Sequence, residues 1–305
     1  MKIKELFKNK PVISLEIFPP KPESPVDTIY KTIDGLYDLK PDYISVTYGA
    51  GGSSKSHTLK IADIIKNKYN IEALAHLTCI NSAKEDVDNV LKELKSYGVE
   101  NVLALRGDIP LDDEFDINAR RDFKYAKDLV SYIKESDDFC IAGACYPEVH
   151  IECTDSKEDL KHLKEKVDNG VDFLITQLFF DNNLFYSFKE KADAIGINIP
   201  ISAGIMPVIN KKQIERITSL CGTSIPLKFR RILDKYEHNP EALKEAGIAY
   251  ATEQIIDLLS YGIDGIHLYT MNKPEISRKI FNQIESIRSY FKEDKEDIIA
   301  EAVGS

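Results

Sequence analysis

Eight short runs of apolar and β-branched residues recur along the chain, and segments with helical periodicity separate them. The runs are VISLEIF (12–18), YISVTYG (43–49), EALAHLTC (72–79), NVLALRGD (101–108), CIAGACYP (140–147), FLITQLFF (173–180), PISAGIMPV (200–208) and GIHLYTMN (265–272). Nearly continuous apolar strands are typical of parallel sheets that are covered on both faces. Eight such strands alternating with helices predict a (β/α)8 TIM barrel, with a doubly wound open sheet as the alternative.

The segments between the runs carry helix signals. Ser82 and Glu85 have the spacing of a capping box, and Gly98 follows the last apolar residue of the helix that they would begin. In the same way, Ser156 is predicted to cap a helix that Gly170 ends.

The alternation continues without a linker or a second core. The stretch 222–260 predicts at least one extra helix before the eighth strand. We therefore predict a single barrel domain over residues 1–290, followed by a charged tail over residues 291–305.

Composition excludes several classes of protein. Forty Lys and Arg against fifty Asp and Glu leave a net charge of −10, which argues against non-specific nucleic-acid binding. No apolar run approaches the ~18 residues of a membrane span, and no apolar segment follows the basic start MKIKELFKNK. The five cysteines are odd in number and have no CxxC spacing. We expect a cytoplasmic protein with most cysteines reduced and buried.

Polar residues inside the runs, or just past them, are the candidates for chemistry, because barrel active sites lie at the carboxyl ends of the strands. Six candidates are Glu16, Thr47, His76, Arg106, Asp108 and Gln177. Each also has a structural interpretation, such as a paired core carboxylate at Glu16, a hydrogen-bonded core histidine at His76, or an ion pair between Arg106 and Asp108. Their convergence on one end of the barrel favours an active site. The histidines show no paired ligand spacing, so no metal site is predicted.

A glycine-rich segment at Gly49–Ser56 follows the second strand. It nearly matches a phosphate loop, but Ser54 stands where that motif requires glycine. Its backbone N–H groups suit an anion, which keeps open a phosphate-binding lyase or aldolase with a Schiff-base lysine. No lysine lies inside a predicted strand, which counts against that alternative.

The strand-end peptides resemble a known family. LEIFPPK, SVTYGAGG, AHLTC, LALRGDIP, YPEVH, ITQLFFD and GIMPV, in this order, resemble the methylenetetrahydrofolate reductases over roughly residues 12–275. The resemblance implies an FAD-containing barrel that reduces 5,10-methylenetetrahydrofolate to 5-methyltetrahydrofolate, with NADH or NADPH as donor and ping-pong kinetics. Bacterial members consist of the barrel alone, and the family suggests a homo-oligomer.

The resemblance also assigns catalytic roles. Glu16 matches the general acid that protonates N10 of the folate, and Asp108 matches the aspartate beside the flavin, whose charge favours a cationic iminium. Gln177 matches an amide that contacts folate or nicotinamide in turn. We expect an apolar setting to keep the Glu16 carboxyl protonated. The neighbours that would supply this setting are Leu15, Ile17 and Phe18.

Cofactor and substrate positions follow from the same resemblance. The cofactor-binding positions are Thr47, Tyr48, Ala50, His76, Arg106, Gly107, Asp108, Tyr125, Ala126, Tyr146, His150, Asp159 and Lys166. The substrate-binding positions are Gln177, Gln213 and Lys273.

Three positions depart from the family pattern. Lys273 stands where an arginine is expected, and a lysine cannot make the same planar bidentate contact to a carboxylate. His162 and Glu165 replace an asparagine and an arginine near the adenosine end of FAD, and Glu165 predicts weaker attraction of the phosphates.

The electron donor is open at this stage. Direct reduction by NAD(P)H is the leading hypothesis. The alternative is a catalytic subunit that is fed by an iron–sulfur partner protein.

Overall fold

Eight parallel strands close into a barrel, as the sequence pattern predicts. The computed structural model of the chain describes residues 1–20, 27–48, 52–80, 82–108 and 122–291. The strands are β1 (Val12–Ile17), β2 (Tyr43–Val46), β3 (Glu72–Thr78), β4 (Asn101–Leu105), β5 (Cys140–Cys145), β6 (Phe173–Thr176), β7 (Ile201–Ile205) and β8 (Gly265–Tyr269). Each strand pairs with the next, and β8 pairs with β1 over Val12–Glu16. This closure rules out the open sheet.

Helices surround the barrel. They are α1 (Asp27–Asp34), α2 (Gly52–Asn67), α3 (Lys84–Ser96), α4 (Ala126–Ser136), α5 (Ser156–Asp168), α6 (Asn182–Ala194), α7 (Lys211–Cys221), α8 (Leu227–Tyr236), α9 (Pro240–Tyr261), α10 (Pro274–Gln283) and α11 (Glu285–Tyr290). The extra helix predicted before the eighth strand is confirmed, since α8 and α9 both follow α7. The predicted tail begins at residue 291, and residues 292–305 lie outside the described ranges.

Both predicted helix caps are wrong by one residue. Helix α3 is preceded by Ala83, whose N–H donates to the Asp86 carboxylate at 3.0 Å, while the Ser82 hydroxyl donates backwards to the Thr78 carbonyl. Helix α5 is capped by Asp155, which accepts from the N–H two residues later. At α3 the first N–H of the helix, on Lys84, donates to the Asp122 carboxylate at 3.0 Å, and at α5 a first-turn N–H donates to Asp155, so carboxylates take the place of the predicted serine hydroxyls.

Alternation along the strands separates two environments. Leu15 and Ile17 point outward into the layer between barrel and helices, and Ser14 and Glu16 therefore point into the barrel. At the amino-terminal end the interior is apolar, with Leu74, Leu103 and Phe173 packed beside the first residues of the chain. The 3-10 helix Ile3–Lys8 closes this end, and the Ile3 N–H donates to the buried Asn101 side chain at 2.8 Å.

Three aspartates tie neighbouring strands together at the closed end. Each stands just before a strand and accepts a hydrogen bond from the backbone N–H of an adjacent strand. They are Asp42 to Ile13 at 2.8 Å, Asp172 to Ile141 at 2.9 Å and Asp264 to Ile201 at 2.9 Å. These bonds satisfy N–H groups at strand starts that the barrel ladder leaves unpaired.

Candidate active site

Glu16 lies inside the open end of the barrel, where three polar side chains surround its carboxylate. Glu16 Oε2 is 3.2 Å from His267 Nε2, 3.5 Å from His76 Nε2 and 3.5 Å from the Ser45 hydroxyl. The Glu16 side chain is 17% exposed, whereas His267 is fully buried. Glu16 is therefore the member of this group that reaches the mouth.

The backbone around Glu16 is anchored to the end of β8. The Thr270 hydroxyl donates to the Glu16 carbonyl at 2.6 Å. The Asn272 side chain makes a reciprocal pair with Phe18, accepting from its N–H at 3.1 Å and donating to its carbonyl at 2.8 Å. Asn272 and Met271 both have left-handed backbone angles, which aim the Asn272 amide back at β1. These contacts fix the position of the carboxylate.

The electrostatics of Glu16 differ from the sequence-based expectation. Burial acts to raise the pKa of Glu16, but the hydrogen bond from His267, the charges of both histidines and the Ser45 hydroxyl outweigh it, so that the pKa lies below its usual value. Burial lowers the pKa of His76 to about 4 despite the opposing charge of Glu16. The expected apolar setting is wrong, because β-alternation sends Leu15 and Ile17 to the outer face and Phe18 is exposed.

Residues assigned to the cofactor occupy one half of the mouth. They follow or lie on the consecutive strands β2, β3, β4 and β5, or lie on helices α4 and α5. Tyr125 precedes α4 with its ring 46% exposed, and the Tyr146 ring packs edge-on against His150 at 4.6 Å between centroids. Ala126 begins α4, and Thr47 is half-buried directly after β2. Ala50 lies outside the described residues.

Arg106 is the main cation on this half of the mouth, and it already forms an ion pair with a carboxylate of the protein. Its guanidinium donates two hydrogen bonds of 2.6 Å to the two carboxylate oxygens of Glu152. This pairing raises the pKa of Arg106 and lowers that of Glu152. Arg106 therefore forms a bidentate pair with a residue from the loop after β5, and not the structural ion pair with Asp108 that was the alternative from the sequence.

Two further ionisable residues of α5 face β5. Lys166 is buried enough that its pKa is lowered, and its ammonium group donates to the Ala144 carbonyl. Burial raises the pKa of Asp159, against the effects of His150 and Lys166. Glu165 on the same helix accepts from Lys127 at 2.8 Å, so its charge is balanced within the protein, and His162 is exposed.

The backbone just after β4 has a conformation and a close contact that favour glycine. Gly107 has φ +91°, and a Cβ there would lie 3.0 Å from the Thr78 side chain. The Tyr48 hydroxyl is buried and has no hydrogen-bond partner among the described residues. An orphaned hydroxyl and a tight glycine in the same half of the mouth fit a ligand that packs against the backbone and supplies a polar atom.

Residues assigned to the substrate lie on the other half. Gln177 follows β6, its N–H donates to the Cys145 carbonyl at 2.7 Å, and its side chain is half-buried. Gln213 is exposed on α7 and lines a narrow cleft with Met271. Lys273 is exposed at the start of α10. Together with Glu16 on β1, they occupy the arc from β6 through β8 to β1.

Asp108 is exposed in the segment that follows β4. Burial and, to a smaller degree, the charge of Asp108 raise the pKa of Cys221 at the end of α7. The charge of Asp108 is thus felt at a helix on the substrate half, although Asp108 follows a strand of the cofactor half.

The sequence pattern does not single out His267 or Glu152, whereas Tyr269 belongs to the polar group that ends the eighth run. His267 lies in an apolar run, although a histidine two residues before a strand end faces the same way as Tyr269. Glu152 stands in a loop with no motif of its own. Tyr269 crosses the barrel to donate to the Thr176 carbonyl at 2.9 Å, and Gly204 is required there because a Cβ would overlap that carbonyl and the Tyr269 ring.

The structure also bears on the cysteines, on membrane-spanning helices and on metal sites. Cys79, Cys140 and Cys145 are buried as predicted, and Cys153 and Cys221 are half-buried. Within the described ranges, no helix combines the length and apolarity needed to cross a bilayer. The same ranges contain no group of three His, Cys, Asp or Glu side chains suited to a metal ion.

Comparison with known proteins decides the family. The family model of methylenetetrahydrofolate reductase matches residues 2–285. The chain belongs to the methylenetetrahydrofolate reductase family. It is 36% identical to 5,10-methylenetetrahydrofolate reductase of Pectobacterium carotovorum and 35% identical to that of Escherichia coli, with 88% of each chain covered.

Longer relatives match over part of their length. The chain is 40% identical to methylenetetrahydrofolate reductase (NADH) 1 of Arabidopsis thaliana over 85% of this chain but 46% of the plant protein, so it spans about half of that relative.

A more distant solved structure shares the fold. It is described as an uncharacterized protein from Clostridium thermocellum that binds two copies of 5-methyl-5,6,7,8-tetrahydrofolic acid. The TM-score is 0.66 at 18% identity, and 93% of this chain and 98% of that chain are covered.

Proposed function

We propose that this protein reduces 5,10-methylenetetrahydrofolate to 5-methyltetrahydrofolate, using FAD and a nicotinamide donor in a ping-pong cycle. The observation that carries the proposal is the Glu16 carboxylate, anchored at the mouth of a barrel from this family and in contact with two imidazoles. A proton donor at a fixed position is what opening the methylene bridge requires.

Glu16 acts on the leaving nitrogen. The substrate carbon bridges N5 and N10, and protonation of N10 allows the carbon–N10 bond to break with its electron pair going to N10. This leaves a cationic iminium at N5, and addition of a hydride converts it into the methyl group. The chain therefore has to supply one proton and to stabilise one developing positive charge.

Asp108 and Gln177 fit the second task. Asp108 is an exposed residue just after β4, and its negative charge would favour the iminium cation. Gln177 contributes an amide beside the same space and orients the ring that lies there. Lys273 and Gln213 are at the outer edge, where an ammonium group suits the carboxylates of a folate tail as a point charge.

The cofactor half of the mouth fits FAD. Tyr125 offers an exposed ring for stacking, Arg106 offers a cation for phosphate oxygens, and the Tyr48 hydroxyl has no partner among the described residues. Lys166 would have to exchange its hydrogen bond to the Ala144 carbonyl for a phosphate oxygen. When bound, FAD would accept a hydride from NADH or NADPH and give it to the folate carbon. Because one mouth serves both partners, nicotinamide has to leave before folate enters.

The test is an anaerobic absorbance experiment on protein loaded with FAD. NADH should bleach the flavin band, and 5,10-methylenetetrahydrofolate should then restore it. Glu16→Gln should still be bleached by NADH, but its reoxidation by folate should be slower by about 10²- to 10⁴-fold, as for other lost general acids. The matched control is Glu135→Gln, an exposed glutamate near the carboxyl end of α4, which should behave as the parent protein.

Three other outcomes would change the proposed function, its electron donor or the role of Glu16. Absence of flavin binding would overturn the proposal. A flavin that NADH and NADPH leave oxidised, but that folate reoxidises after chemical reduction, would support the same folate chemistry with an iron–sulfur partner as donor. Normal turnover by Glu16→Gln would refute the role of Glu16.

A further inference from the structure

The Tyr269 side chain reaches from β8 over β7 to the last residue of β6. Its hydroxyl donates to the Thr176 carbonyl at 2.9 Å, and the direction of this hydrogen bond is fixed because a carbonyl oxygen can only accept. Burial above all, and the charge of Glu16 after it, raise the pKa of Tyr269 well above its ordinary value, so the hydroxyl keeps its hydrogen near neutral pH. No part of the proposed reaction so far uses this hydroxyl.

The crossing depends on Gly204 of β7. A Cβ at Gly204 would lie 2.7 Å from the Tyr269 hydroxyl oxygen and 2.4 Å from the Thr176 carbonyl oxygen, and real Cβ atoms do not come this close to other heavy atoms. Any residue other than glycine would therefore push the phenol ring away from β6. The hydrogen bond from β8 to β6 thus requires a tyrosine on one strand and a glycine on the strand between them.

Side-chain hydrogen bonds continue the connection of β6 where its regular pairing with β7 stops. The register between these two strands ends at Ile175 and Ser202. Beyond it, the Gly204 N–H donates to the Thr176 hydroxyl oxygen at 2.8 Å, and the Thr176 carbonyl accepts from Tyr269. The last residue of β6 is therefore held by two bonds that involve side chains.

The peptide unit between Thr176 and Gln177 is anchored at both of its polar groups. Tyr269 holds its carbonyl, and its N–H, on Gln177, donates to the Cys145 carbonyl of β5 at 2.7 Å. The side-chain oxygen of Gln177 accepts from the Leu178 N–H at 2.9 Å. Because a backbone N–H can only donate, the NH2 group of the Gln177 amide is the end left to meet a ligand.

We propose that Tyr269 is a positioning residue that acts on the substrate through Gln177. Its hydroxyl fixes the rotation of the peptide between Thr176 and Gln177, and this rotation sets which hydrogen-bond acceptor of the folate ring the Gln177 NH2 group can reach. The inference rests on the proposed function of Gln177. Without the hydroxyl, the peptide keeps one of its two anchors, so the amide occupies several positions and only one of them is productive.

Tyr269 has a second neighbour that bears on the reaction. Its ring packs edge-on against His267 at 5.5 Å between centroids, and His267 contacts Glu16. That contact involves the ring, whereas the hydroxyl is bonded to β6. Tyr269→Phe removes the hydroxyl and keeps the ring, so it separates the positioning of Gln177 from the packing around Glu16.

The kinetic test is a double-mutant cycle on the folate half-reaction. FAD-loaded protein is chemically reduced without oxygen and mixed with increasing 5,10-methylenetetrahydrofolate, which gives the dissociation constant of the folate and the limiting rate of flavin reoxidation. Tyr269→Phe should raise the dissociation constant by about 3- to 10-fold, the size of one neutral hydrogen bond, and Gln177→Leu should raise it at least as much. Tyr269→Phe added to Gln177→Leu should change it by less than about twofold, because the group through which the hydroxyl acts is already gone.

Tyr250→Phe is the matched control. The half-buried Tyr250 of α9 also donates to a carbonyl of the segment after β6, that of Phe180, at 2.6 Å. Its loss should lower stability much as Tyr269→Phe does, but should leave the dissociation constant of the folate within about twofold of the parent value. Equal weakening of folate binding by both variants would overturn the proposal, since general loosening of the segment would explain it. An equal effect of Tyr269→Phe with and without Gln177 would also overturn it.

Amide hydrogen exchange tests the positioning without turnover. In Tyr269→Phe the Gln177 N–H should exchange at least about threefold faster than in the parent protein, because its peptide has lost an anchor. The Leu174 N–H, which donates to the Pro200 carbonyl inside the β6–β7 ladder, should exchange as before. Unchanged exchange at Gln177 would overturn the inference even if the enzyme is active. A parent protein whose reduced flavin never reacts with the folate would instead refute the proposed function.

Discussion

Removal of the Glu152 carboxylate should strengthen FAD binding. On the proposed function, the phosphates of FAD and Glu152 compete for the same Arg106 guanidinium, which Glu152 now holds with two hydrogen bonds of 2.6 Å. Arg106 is 24% exposed and Glu152 47% exposed, so the pair is only partly shielded from water. Exposed ion pairs are worth about 0.2–1 kcal/mol, and the bidentate geometry here favours the upper end. Freeing Arg106 should therefore tighten FAD binding by about 1.5- to 5-fold.

The assay is equilibrium titration of apoprotein with FAD, followed by quenching of flavin fluorescence. Glu152→Gln keeps the size of the side chain and removes its charge. The matched control is Glu158→Gln, an exposed glutamate in the first turn of α5, which should change affinity little. Arg106→Gln should weaken binding by about 10- to 100-fold, the loss expected for hydrogen bonds to a charged group.

Two outcomes would contradict competition between Glu152 and the FAD phosphates for Arg106. If Glu152→Gln binds FAD no more tightly than the parent protein while Arg106→Gln binds it more weakly, Glu152 does not compete with the phosphates. If neither variant changes affinity, Arg106 is not part of the FAD site.

Three further predictions concern stability and pH. Asp172→Ala leaves the Ile141 N–H of β5 without its acceptor and should lower the free energy of unfolding in urea by about 1–3 kcal/mol, whereas the exposed Asp193→Ala should change it by less than about 0.5 kcal/mol; equal effects would contradict the proposed strand tie. Gly247→Ala places a Cβ on the Val208 carbonyl and should lower the free energy of unfolding, measured by denaturation, by at least about 1–3 kcal/mol. An unchanged free energy of unfolding would mean that α9 can move away from the segment after β7. Because the folded pKa of His76 is about 4 against 6.5 ordinarily, the unfolded chain binds a proton between these values that the folded protein does not, so stability should fall by up to about 3 kcal/mol as pH drops through this window. His76→Gln should flatten that slope, and an unchanged slope would show that another group causes it.

Much of the fold is readable from local patterns. Each strand lies within one of the eight apolar runs, because an apolar segment of this length that is covered on both faces has few other structures open to it. Helix ends were less predictable, since the Ser82 hydroxyl donates to the Thr78 carbonyl behind it and not to the helix, and Asp86 accepts from the Ala83 N–H.

The candidate site was predictable in part. The strand-end position of Glu16 follows from its place in the first run, and the structure puts Gln177 and Arg106 on the same end of the barrel. The environment of Glu16 was not predictable, because its chain neighbours point outward and its actual contacts come from β2, β3 and β8. Glu152 as the partner of Arg106 likewise depends on how a loop folds back.

The sequence by itself determined the alternation of strands and helices, the family and the strand ends at which polar groups emerge. These depend on residue type and on spacing along the chain, which are local quantities. Only the tertiary structure decided which polar atoms meet. Closure of β8 against β1 brings His267 to Glu16 from 251 positions away, and places the Ser14 hydroxyl oxygen 2.7 Å from the other ring nitrogen of His267. The protonation state of a buried carboxylate depends on atoms within a few ångströms, and in a barrel those atoms come from strands that are far apart in sequence.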